Sequence, residues 1–384
     1  MKKKIQVLHV YRTYFPDPPG GLQEAIRQIA LATTDYGISN VIFSLSKRPH
    51  PSIISDRPEG QVVRCRSWAA PASCDLGGPS AVHKFRQLSR DANLVIYHFP
   101  WPFGDILHIL GGLNRPSAIL YHSDIVRQRF LGAAYKPLMW RTLNSMNAII
   151  ATSPNYVHTS PVLSHSAIRD KIHIIPLGIQ EQSYPQHGDS RILQRLRLDK
   201  STPFFLFIGA LRYYKGLHFL LQAAQTLNAK IIIAGSGPER ERLDTLATDL
   251  ALKNVIFSGH VSDQEKVTLL LHCRALILPS HLRSEAFGMS LIEAAMLGRP
   301  LITCEIGTGT SYVNAHGESG LVVPPANPEA LANAMESLIN NNLLTKQLGV
   351  GARMRYEKFF SGAALGQAYS LLFQKLIARE MKLE

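Results

Sequence analysis

Cysteine is scarce in this 384-residue chain: Cys65, Cys74, Cys273 and Cys304 are widely spaced and none forms a Cys-x-x-Cys pair. That spacing argues against a zinc site and a disulfide framework and leaves buried free thiols as the reading. Charge is sparse too. Only 18% of residues are Asp, Glu, Lys or Arg, and they are scattered, which argues against long disordered tails. No apolar run approaches the roughly 18 residues that a membrane helix needs. The run 5–10 that follows Met1-Lys2-Lys3-Lys4 is too short for a signal peptide's apolar core and cleavage site. A cytoplasmic chain is therefore expected. Asp-x-Asp is absent and His, Asp and Glu do not cluster, so no bound metal is expected on a diphosphate ligand.

What is present is length for two α/β cores, with 46% apolar residues to fill them. The net charge is +13. Residues 1–190 carry 20 Lys/Arg against 12 Asp/Glu, and residues 191–384 carry 21 against 16, so the excess is larger in the first half. A basic surface serves nucleic acid, an anionic membrane or a phosphorylated ligand. Charge alone does not choose among the three. No helix-turn-helix, zinc-finger or RNA-binding signature accompanies it, so nucleic acid is not an expected partner.

Short apolar runs at 5–10, 41–45, 94–99, 118–122, 148–151 and 172–176 read as buried parallel strands, with helices at 22–36 and 126–146 among them. A polar stretch at 180–190, with Pro185 and Gly188, reads as an interdomain linker. The pattern then restarts, with strands at 204–209, 230–235, 255–258, 275–279, 300–304 and 321–323. Helices at about 216–228, 238–252, 263–272, 289–298 and 328–340 alternate with them. Two doubly wound α/β domains are expected, residues 1–185 and 191–361, with a last helix over 362–384 returning to the first.

The segment most informative about chemistry is 278–300, LPSHLRSEAFGMSLIEAAMLGRP. A strand ends at Pro279, a loop follows, and a helix begins near Gly288. Free backbone N–H groups of Gly288, Met289 and Ser290 then lie at a helix N-terminus beside the strand ends, a place that binds phosphate. Glu285 sits in the loop before it and Glu293 eight residues on, inside the helix. The two carboxylates reach different parts of one ligand whose phosphates lie between them. A strand-end loop that opens a helix likewise presents Lys215.

This segment resembles the E-x7-E motif of the retaining glycosyltransferase family four, and the likeness runs along nearly the whole chain. Gly20-Gly21, His122-Ser-Asp124, 175–179 (IPLGI), 209–216 (GALRYYKG), 235–238 (GSGP), 255–259 (VIFSG), the E-x7-E and 320–324 (GLVVP) follow in family order. The resemblance implies the GT-B fold: two Rossmann-like domains facing across a cleft, the first binding acceptor and the second a nucleotide-sugar donor. It implies that Lys215 contacts the donor diphosphate, that Glu285 binds sugar hydroxyls and that His122 hydrogen-bonds the donor sugar. It further implies that Gly21, Phe287, Gly288, Met289 and Ser290 line the donor site and that Glu293 takes the nucleoside ribose. The family arginine after the first glycine is Ala210 here, which leaves Arg212 as the candidate second cation. The resemblance further implies retention at the anomeric centre. The expected mechanism is same-face substitution assisted by the departing phosphate, without a protein nucleophile and without a metal or other cofactor.

The segments 303–313 (TCEIGTGTSYV) and 7–16 (VLHVYRTYFP), with Gly20-Gly21, are similar to bacterial mannosyl- and rhamnosyltransferases of O-antigen synthesis. They imply GDP-mannose or GDP-rhamnose as donor and a lipid-diphosphate-linked saccharide as acceptor. A UDP-hexose donor, a sugar-nucleotide epimerase and an inactive nucleotide-binding module are the alternatives. The aromatic stretch 97–104 (YHFPWPFG) reads equally as a sugar platform or as core. Lys84, Arg86 and Arg90, Arg127 and Arg129, and Lys136, Trp140 and Arg141 set basic residues beside apolar ones. They are expected to hold the first domain peripherally on the anionic inner face of the cell membrane.

Overall fold

A computed structural model describes residues 5–17, 20–49, 54–71, 74–111, 115–125, 129–198 and 203–380. The chain divides into two units, residues 1–178 with 362–384, and residues 179–361.

The first unit holds β1 (Ile5–Val10), β2 (Ile38–Ser46), β3 (Ile54–Arg57), β4 (Gly60–Ala69), β5 (Leu76–Gly77), β6 (Leu94–Phe99), β7 (Ser117–Tyr121), β8 (Ala148–Ala151) and β9 (Ile172–Ile174). Their order is β3-β4-β2-β1-β6-β7-β8-β9, with β5 paired to β4. β3 and β5 run antiparallel to β4, and the remaining pairs are parallel. Strands β6, β7 and β8 are buried along their whole length, as expected where both sheet faces are covered. The last helix, Gly362–Glu380, belongs to this unit. It packs so tightly on helix Gly21–Thr34 that a Cβ at Gly366 would stand 2.3 Å from the Ala32 carbonyl oxygen.

The second unit holds β10 (Phe204–Ile208), β11 (Lys230–Ala234), β12 (Val255–Gly259), β13 (Ala275–Leu278), β14 (Leu301–Cys304) and β15 (Gly320–Val323). Every pair is parallel, in the order β12-β11-β10-β13-β14-β15. The winding reverses between β10 and β13, and in the first unit between β1 and β6. Such reversals of winding, at the carboxyl ends of the strands, are where open α/β sheets bind ligands.

Three stretches are unread, left open or read otherwise in the sequence. The stretch 54–69 forms a β-hairpin (β3 and β4), hidden in the sequence by charges within a strand. Arg64 is nonetheless buried, paired with Asp17 at 3.6 Å. The stretch 180–190 packs into the second unit, its polar groups engaged: Glu181 pairs with Arg353 at 3.0 Å and Tyr184 donates to Glu293. The aromatics of 97–104 are core. Trp101 is buried with its indole N–H on the Asp75 carbonyl at 2.8 Å, and Phe99 stacks on Tyr121.

Candidate active site

In the second unit the reversal point is built by the loops after β10 and β13. The β10 loop ends in a turn, Tyr213–Lys215, closed by Gly216 at φ 68°. A Cβ at Gly216 would lie 2.1 Å from the Pro279 carbonyl oxygen, so only glycine lets the two loops meet there. Their contact brings Lys215 onto Glu285. The ammonium hydrogen-bonds and ion-pairs with Oε2 of the carboxylate, and Ser280 Oγ donates to the same oxygen at 3.3 Å. Both charged side chains are buried. Burial alone would lower the Lys215 pKa, but Glu285 and then Tyr214 override it and raise the pKa above the lysine range. Lys215 therefore stays charged. The loop after β14 braces this arrangement: Thr308 Oγ1 donates to the Glu285 carbonyl at 2.8 Å and the Gly309 N–H to that of Ala286 at 2.8 Å.

Helix Met289–Met296 starts from Gly288, which has φ 92°. No side chain caps this terminus, so its first N–H groups retain donor capacity for an anion. Phe287 is buried, and Met289 and Ser290 are half-buried. Glu293 lies on the same helix, buried and held by two residues not anticipated from sequence. Lys266 Nζ pairs with Oε1 at 2.9 Å, Tyr184 donates its hydroxyl to the same oxygen, and Lys266 reaches Tyr184 at 3.1 Å. Burial opposes the charge of Lys266, yet Glu293 and Asp263 raise its pKa well above the usual value. Among the described residues, Glu285 Oε1 and Glu293 Oε2 take no hydrogen bond. Each carboxylate is thus anchored through one oxygen and open at the other. Arg212 is exposed at the head of the Lys215 turn. Its positive charge weighs against that of Lys215, but less than Glu285 and Tyr214 favour it.

In the first unit, exposed Gly20 and Gly21 open helix Gly21–Thr34 after β1. His122 follows β7 and is buried; its Nε2 lies 3.0 Å from Nδ1 of His98. Burial lowers its pKa to about 3, so the ring is neutral. Asp124 braces the loop that carries it, accepting from Tyr121 at 3.0 Å and Ser160 at 2.6 Å. Among the described residues, no group of three or more His, Cys, Asp or Glu is placed to hold a metal ion. No helix among them is long and apolar enough to cross a membrane.

Residues 19–183 match the family described as Glycosyltransferase Family 4, and residues 189–355 match Glycosyl transferases group 1. The chain is 45% identical over 358 residues to the D-rhamnosyltransferase WbpZ of Pseudomonas aeruginosa, covering 93% of this chain and 92% of that protein. It is 40% identical to the O-antigen chain mannosyltransferase C of Escherichia coli, over 97% of this chain and 99% of that one. Its fold is similar to that of a sucrose-phosphate synthase from Thermosynechococcus elongatus, with a TM-score of 0.80 at 20% identity over 98% and 100% of the two chains.

Proposed function

This chain belongs to glycosyltransferase family four and is a hexosyltransferase with the GT-B fold; from that premise we propose that it transfers mannose or D-rhamnose from a GDP-sugar. The acceptor in this reading is a lipid-diphosphate-linked saccharide of O-antigen synthesis. The names of the 45% and 40% identical relatives support the sugar and the pathway. The observation that carries the site is the Lys215–Glu285 pair at the β10/β13 reversal, next to an uncapped helix terminus and eight residues before Glu293.

Transfer puts positive charge on the anomeric carbon while negative charge grows on the departing diphosphate. Lys215 and the N–H groups of Gly288, Met289 and Ser290 supply the fixed positive field that the departing group needs. Arg212 adds an exposed second cation. The open Oε1 of Glu285 accepts from sugar hydroxyls. Held on Lys215 and Ser280, Glu285 is a poor nucleophile, which favours same-face substitution with the donor phosphate taking the acceptor proton. The open Oε2 of Glu293 accepts from the ribose hydroxyls, fixed by Lys266 and Tyr184. In the first unit, His122 hydrogen-bonds the donor sugar and Gly21 admits close backbone approach. This cradle needs no metal.

A panel of GDP- and UDP-activated hexoses, offered with a lipid-diphosphate-linked saccharide in the presence of chelator, tests the reading. The expected product is an α-linked hexose from GDP-mannose or GDP-D-rhamnose. Transfer from UDP-hexoses alone, or an interconverted free sugar nucleotide, would overturn it.

A further inference from the structure

We propose that Asn40, His9 and His98 are positioning residues that fix the tautomer of His122, so that His122 presents only a hydrogen-bond acceptor, Nδ1, to a hydroxyl of the donor sugar. The inference rests on the reading of His122 as a donor-sugar contact.

The four side chains sit on four adjacent strand tracks, β2, β1, β6 and the end of β7. Register aligns His9 with Ile42 and with Ile96, and His98 with Leu120. Each next member lies two residues further along: Asn40 is two before Ile42, His98 two after Ile96, and His122 two after Leu120. Side chains two residues apart share a sheet face. The register therefore lays these four polar side chains on one diagonal of a shared face, climbing from the sheet interior to its carboxyl edge.

Contacts join the diagonal end to end. His9 Nε2 lies 3.2 Å from Asn40 Oδ1, His9 Nδ1 is 3.2 Å from His98 Nε2, and His98 Nδ1 is 3.0 Å from His122 Nε2. The rings stack at centroid distances of 5.4 and 5.3 Å. All four residues are buried, and burial holds the three rings neutral, with His9 lowered to about 4.

The polarity of the chain is set at its inner end. Asn40 Nδ2 donates to the Ala30 carbonyl at 2.9 Å and to Thr33 Oγ1 at 3.1 Å. A carbonyl can only accept, so the amide cannot be flipped and Oδ1 must face His9. His9 must then donate from Nε2, which leaves Nδ1 as acceptor. A neutral imidazole has one donor and one acceptor, so His98 donates from Nε2 and accepts at Nδ1. His122 in turn must carry its proton on Nε2. Its remaining nitrogen, Nδ1, has no partner among the described residues and offers a lone pair. Asn40 can neither take up nor release a proton, so the chain is closed to proton transfer at that end; it transmits orientation. Three buried imidazoles cost free energy unless each polar atom is paired, and this one-way pattern pairs them all except the nitrogen that faces the ligand.

Nitrogen-15 NMR of the histidine rings in the full chain at pH 7 reads the tautomers directly. All three rings should be neutral and protonated on Nε2. Asn40→Ala and His98→Phe should release His122 into a mixture of tautomers and lower kcat about tenfold, the scale of one hydrogen bond. KM for the nucleotide-sugar should change less. His98→Gln, whose amide can donate toward His9 and accept from His122, should keep His122 protonated on Nε2 and restore kcat. A His122 protonated on Nδ1 in the unaltered chain would overturn the proposal, as would a tautomer indifferent to both disruptive variants. The unaltered chain and the His98 pair decide the matter even if Asn40→Ala fails to fold. If the tautomers behave as expected while His122→Ala transfers normally, the relay stands and the donor-sugar reading falls.

Discussion

At the scale of single residues, the proposed donor site centres on a buried cation that already has a partner. Lys215 sits on Glu285 in the protein alone, so the diphosphate and the carboxylate compete for one ammonium. Lys215→Ala removes the field that stabilises the leaving group and should lower turnover by roughly two to three powers of ten, typical for losing one charge-stabilising donor. Arg212→Ala should cost less, because that side chain is exposed and solvent screens its charge. Steady-state kinetics with a GDP-sugar check both, and equal losses would mean that Arg212 shares the phosphate fully. Sequence supplied Lys215, Glu285 and Glu293 because each belongs to an ordered motif. It did not supply Lys266 or Tyr184, which meet Glu293 from 27 and 109 residues away. Their neighbourhoods read as a helix at 263–272 and a linker at 180–190, and no periodicity marks such a contact.

At the scale of elements, the polar diagonal across β2, β1, β6 and β7 makes folding sensitive to acid. The ordinary histidine pKa is 6.5, while His9 is lowered to about 4 and His122 to about 3. Below pH 6.5 the unfolded chain binds protons that the folded rings refuse, so stability is fully present above 6.5 and is lost as pH falls toward 4. Asp105 works in the opposite direction: burial, offset in part by its bond from Tyr135, lifts its carboxyl to about 7, so its contribution falls as pH rises. Urea unfolding at pH 7.5 and pH 5 separates the two when the chain is compared with His98→Gln, which has one imidazole fewer. The variant should lose less stability on acidification; identical losses would remove the buried histidines from the acid response. The strands themselves were legible from their apolar runs, and the second sheet's from the restart of the pattern. The diagonal was not, because each histidine alone looks like an ordinary strand residue until the register of four strands is known. β4 was hidden for a related reason: Arg64 and Arg66 interrupt its apolar run, and only the Asp17 pairing shows why Arg64 is tolerated inside.

At the scale of the whole molecule, part of the basic excess of the first half is exposed on one helix. On helix Pro79–Asp91, Arg86 and Arg90 are exposed on one face. Arg86 also holds the Leu110 carbonyl at 2.7 Å, and with exposed Trp68 and Leu110 it lines a depression of about 530 Å³. Trp140, by contrast, packs on His165 at 4.7 Å, and Arg127 and the Arg129 side chain lie outside the described residues. We propose that the helix Pro79–Asp91 face meets anionic lipid, each nearby basic residue contributing about 1 kcal/mol. In liposome co-sedimentation, binding should require anionic lipid, weaken as salt rises, and drop in Lys84→Glu/Arg90→Glu, a variant that spares the Arg86 cap. Equal binding to neutral vesicles would reject this surface.

In the proposed reaction a cationic, metal-free cradle at the β10/β13 reversal holds the donor's diphosphate. A crystal structure of the full chain grown with GDP and chelator measures this most directly. The phosphates should lie on Lys215 Nζ and the N–H groups of Gly288, Met289 and Ser290, with the ribose hydroxyls on Glu293 Oε2. Phosphates bound away from that helix terminus, with Lys215 still on Glu285 and the ribose remote from Glu293, would contradict it.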